Sequence, residues 1–127
     1  MIVSLALLLA AAVPVQTPPP LVVPTDWTTM PPLPWRNEPV LSPDLVTFVE
    51  GEVRARRCAP PPRNAIEVEM AVYVRADGLV RAVVPRAIDC PTVEQFAAGM
   101  VTSFARSNLR SNAAGWYHAA IVFDWGK

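Results

Sequence analysis

The sequence predicts an α+β domain: helices packed on a three-stranded antiparallel sheet, in the order α-β-β-α-β. Three observations carry that prediction. Ile66–Ile88 reads as two β-rich runs around Ala76-Asp77-Gly78, apolar residues recur at helical spacing from Pro43 to Arg54 and from Val93 to Phe104, and Trp116–Trp125 alternates in character residue by residue. A hairpin alone is marginal in water, so the two amphipathic helices and the last strand are what must cover it.

The first helix has a local start signal. Ser42 is a good N-cap, Pro43 suits the first helical position and Asp44 places an acid in the first turn. Leu45, Phe48, Val49 and Val53 then follow at helical spacing, which predicts a short amphipathic helix over Pro43–Arg54 despite Gly51. Ala59-Pro60-Pro61-Pro62 forces an extended connection into the first strand.

In that strand Ile66, Val68, Met70, Val72 and Val74 share one face, with Glu67, Glu69, Tyr73 and Arg75 on the other. A two-residue turn at Asp77-Gly78 pairs Glu69 with Arg86, an opposite-charge cross-strand pair, and Val72 with Val83. It also sets Arg81 on the apolar face near the turn. Thr92 with Gln95 fits a capping box, and Val93, Phe96, Ala97, Met100 and Phe104 form the stripe that covers the sheet, opposite Glu94, Ser103 and Arg106. Asn108–Gly115 reads as a polar turn region. The final strand places Tyr117, Ala119, Ile121, Phe123 and Trp125 on one face and His118, Ala120, Val122 and Asp124 on the other.

Ahead of this domain (residues 43–127) lie two segments of different character. Ile2–Val13 is apolar or small apart from Ser4 and ends in Ala10-Ala11-Ala12, the pattern of a secretory signal peptide over residues 1–12 and so of a periplasmic protein. An uncleaved N-terminus anchored in the inner membrane is the rival, but a span needs about 20 apolar residues, and Pro14, Gln16 and Pro18-Pro19-Pro20 interrupt this run. Residues 13–42 hold most of the fifteen prolines and read as an extended linker, with Trp27 and Trp35 expected to dock back on the domain. In an oxidising compartment Cys58 and Cys90 form a single disulfide, because Cys90 lies at the open end of the hairpin where the chain enters from Cys58.

Composition narrows the function. A formal net charge of zero gives no bulk attraction to nucleic acid, and the arginines Arg54, Arg56, Arg57 and Arg63 read as a solvated junction. No catalytic, metal or cofactor constellation stands out: His118 is the single histidine, and there is no Cys-x-x-Cys, phosphate-cradling glycine loop or Gly-x-Ser-x-Gly. The expectation is a non-enzymatic protein without cofactor.

Val72-x-Val74-x-x-Asp77-Gly78-x-Val80, Cys90-Pro91 opening a helix, Gly115 and Ile121-Val122-Phe123, behind an exported N-terminus and a proline-rich spacer, resemble the C-terminal domain of TonB-type energy transducers. The resemblance covers about residues 60–125. The Tyr-Pro pair that often opens such a domain is replaced by Pro60-Pro61-Pro62, and the Phe-x-Pro-Ala segment after the long helix by Ser107-Asn108-Leu109-Arg110. The resemblance therefore implies the domain and its binding mode more than energy transduction itself. It implies that an extended segment of an outer-membrane transporter, or of another envelope protein, adds as a strand to the edge formed by Tyr117, His118, Ala119, Ala120, Ile121, Val122, Phe123 and Asp124. Two other uses of the chain are a homodimer through the same strand and a disulfide-stapled structural envelope protein.

Overall fold

A computed structural model of the chain describes residues 3, 21–56, 58, 64–110 and 112–126. The candidate signal peptide (residue 3 apart), Arg57, Arg63 and Pro60-Pro61-Pro62 lie outside the described residues. The elements follow the expected order: helix α1 (Pro43–Arg56), strands β1 (Ala65–Val74) and β2 (Val80–Pro85), helix α2 (Pro91–Phe104) and strand β3 (Gly115–Asp124). The sheet is antiparallel with spatial order β2-β1-β3, so β1 is central and β3 is an edge. Among the described residues no helix is long and apolar enough to cross a membrane.

The core lies between one sheet face and the two helices. Val68, Met70, Val72 and Val74 of β1, Ile121 and Phe123 of β3, Val93, Ala97, Met100 and Val101 of α2, and Val49 and Val53 of α1 are all buried there. Aromatic rings link the layers: Phe48 packs on Phe96 at 4.9 Å between centroids, and Phe96 on Phe123 at 6.3 Å. The Cys58–Cys90 disulfide, with Cα atoms 5.1 Å apart, ties the chain leaving α1 to the start of α2.

The hairpin register is the expected one from Met70 to Tyr73, with Val72 opposite Val83, while Arg86 donates its N–H to the Glu69 carbonyl at 2.8 Å and its guanidinium to the Glu69 carboxylate at 2.9 Å. The turn differs. Arg75 N–H bonds to the Leu79 carbonyl and Gly78 N–H to the Arg75 carbonyl, both at 2.9 Å, which closes a three-residue loop. Only Gly78 takes positive φ, at 84°, where glycine carries no Cβ penalty. The extra loop residue shifts the pairing so that Val74 meets Val80. Arg81 is thereby bulged out and exposed, instead of sharing the apolar face.

The start of α2 also departs from the capping-box expectation. Its N-cap is Cys90, and Pro91 takes the first helical position. Glu94, expected on the solvent side, is 9% exposed, and its carboxylate accepts from Cys90 N–H at 3.0 Å and Ile88 N–H at 3.2 Å. It satisfies two donors that would otherwise be orphaned beside the disulfide.

α1 matches its start signal, with Leu45 N–H donating to Ser42 Oγ at 3.4 Å. Arg54 and Arg56 pair one turn back with Glu50 and Glu52, at 2.9 Å and 3.6 Å. Gly51 sits mid-helix, and a Cβ added there would meet nothing within 4 Å. Gly51→Ala is therefore expected to raise stability by about 0.5–1 kcal/mol, read as a higher urea midpoint at unchanged slope. A loss of stability would mean that the helix needs glycine there.

Candidate functional site

The site is the outer edge of β3, and the proline-rich segment decides how much of it is open. Thr28 donates its hydroxyl at 2.6 Å and its N–H at 3.0 Å to the Asp26 carboxylate. The hydroxyl first, then the N–H, holds that carboxyl below its usual range, and the pair starts a single helical turn at Trp27–Thr29. Trp27 lies on the sheet face opposite the helices: the Arg86 guanidinium stacks over its ring at 4.4 Å, and His118 meets it edge-on at 6.4 Å. Glu69 joins the two, 2.9 Å from Arg86 and 3.2 Å from His118 Nε2.

From Met30 the chain crosses the β3 edge towards the helices. Pro32 pairs in parallel with His118: His118 N–H donates to the Pro31 carbonyl and Leu33 N–H to the His118 carbonyl, both at 2.8 Å. A proline fits between those two bonds because its missing N–H points away from the strand. Leu33 is buried in the core. Trp35 then bridges Leu109, with Arg36 N–H on the Asn108 carbonyl at 2.7 Å and Arg110 N–H on the Pro34 carbonyl at 2.8 Å. Both tryptophans dock as expected. Asn108–Gly115, by contrast, contributes buried Leu109 and a backbone platform rather than only a polar turn.

The expected binding edge is thus divided. His118, its outward main-chain groups taken by Pro31–Leu33, marks the closed part. In an antiparallel pair the outward-facing residues recur every second position, so Ala120 and Val122 also turn N–H and C=O away from β1. Among the described residues no main-chain bond reaches them from that side. A groove of about 360 Å³ runs along this open part, walled by Leu33, Trp35, Glu38, Pro39 and Leu41. Tyr117, Ala119, Ile121 and Phe123 face the core, so they hold the strand in place and are not free to meet a partner through their side chains.

His118 belongs to the Trp27–Arg86–Glu69 contact that fastens the proline-rich segment. The role of Arg86 and Leu33 in shaping the edge carried no local signal in the sequence, since each acts through partners distant along the chain. Comparison with protein-family models, with curated proteins and with solved structures finds no match to this chain.

Proposed function

We propose that this chain is an exported, periplasmic, non-enzymatic interaction domain of the TonB C-terminal type. It takes an extended segment of an outer-membrane transporter, or of another envelope protein, as an added strand along β3. The observation that carries this reading is the open main chain of Ala120 and Val122 beside a groove of about 360 Å³. Unpaired N–H and C=O groups supply the affinity in strand addition, and side chains alternating between two faces supply the selectivity. Pro31–Leu33 is itself an extended segment held on the same edge, which supports the mode.

The test titrates the full exported chain with peptides from transporter N-terminal segments. Ala120→Pro removes one outward N–H and leaves the β1 ladder its bonds, so the variant folds but binds at least about tenfold more weakly. N-terminal sequencing of the fractionated protein checks export and cleavage. A second reading has the closed half of the edge in its favour: a disulfide-stapled envelope protein whose proline-rich segment serves only to cover β3. No peptide binding, with unchanged behaviour of Ala120→Pro, favours that alternative.

A further inference from the structure

We infer that the segment accepted by the open β3 edge is basic on one face and apolar on the other, a Lys/Arg–apolar–Lys/Arg stretch. This rests on the strand-addition reading above and names the partner chemistry at that edge.

The two sides of the open stretch differ. On the helix side, an incoming residue level with Ile121 points among Leu33, Trp35 and Leu41, an apolar setting. On the opposite side the surface is acidic. Glu67 stands across from Val122 in the β1–β3 register and Asp124 follows two residues later on the same face; Glu38 adds a third carboxylate in the wall of the groove itself. Among the described residues none of these three carboxylates is in an ion pair. Glu69, opposite Ala120, is different, since Arg86 and His118 already engage it. Among the described residues no lysine or arginine lines the groove.

Reach is compatible with pairing. Neighbouring strands lie about 4.8 Å apart, so an added strand stands about 10 Å from β1. Ala120 is short, so a long lysine or arginine side chain of the added strand passes beside Val122 to reach Glu67 across β3. An incoming acidic residue would instead meet three carboxylates. Charge complementarity thus selects a basic extended segment.

The experiment uses fluorescence anisotropy on the full exported chain with three labelled peptides of equal length. Valine alternates with lysine in the first, with serine in the second and with glutamate in the third. The lysine peptide should bind at least about tenfold more tightly than the glutamate peptide. The double variant Glu38→Gln/Glu67→Gln should bring the lysine and glutamate peptides within about threefold of each other. Equal binding of lysine and glutamate peptides, or a lysine preference that survives the double variant, overturns the inference. If the serine peptide still binds and Ala120→Pro weakens it, strand addition stands without this selectivity. If no peptide binds, or scattering shows a stable dimer that Ala120→Pro dissociates, strand addition of a partner fails as well.

Discussion

Replacing Cys58 and Cys90 together by alanine is expected to lower the unfolding free energy by about 3–4 kcal/mol. The bridge closes a loop between residues 32 apart, and releasing it returns that entropy to the unfolded chain. Both sulfurs are buried, so alanine is chosen to avoid leaving a hydroxyl without a partner. The native contacts at stake are local: Cys90 caps α2, and its N–H and that of Ile88 are held by Glu94. Against a typical domain stability of about 5–15 kcal/mol, this loss brings the protein near its threshold. Urea unfolding followed by tryptophan fluorescence, with reduced wild type as a second sample, measures it. A difference below about 1 kcal/mol in both would show that the bridge constrains little.

Phe123→Ala should cost about 3–5 kcal/mol, whereas Val122→Ala, one residue earlier, should stay within about 0.5 kcal/mol. The contrast follows from the pleat. Phe123 is fully buried against Phe96, and Phe96 in turn carries Phe48 of α1, so truncation leaves a cavity where sheet, α2 and α1 meet. Val122 is 50% exposed on the other face. Thermal and urea unfolding of the two variants side by side checks this, and similar losses in both would mean that β3 is not seated in the register described. Val122→Ala also keeps the outward main chain, so a selective loss of peptide binding in it would trace to the side chain rather than to the ladder.

Much of this architecture was legible residue by residue. Period-two alternation in β1 and β3 assigned each side chain its face, and the pairing of Glu69 with Arg86 agreed with Val72 opposite Val83 before any fold was known. Helical spacing located α1 and α2, and the two cysteines fell where one bridge could join them. What was misread involved choices between nearly equal local options. Asp-Gly supports both a two-residue turn and a three-residue loop ending in glycine, and burial of Val80 against the core decides for the second by ejecting Arg81. Glu94 sits on the polar side of its helix by spacing, yet unsatisfied N–H groups at a buried helix start recruit it.

The candidate site divides along the same line. By itself the sequence determined that β3 would be a strand with Ala120 and Val122 away from the core, because alternation is a property of the strand alone. Only the tertiary structure decided how much of that strand is an edge. Prolines announce an extended segment without saying where it goes. Its destination depends on an unpaired carbonyl and N–H at His118, on Arg86 beneath Trp27 and on a core vacancy for Leu33, groups separated by up to about ninety residues and brought together only by folding.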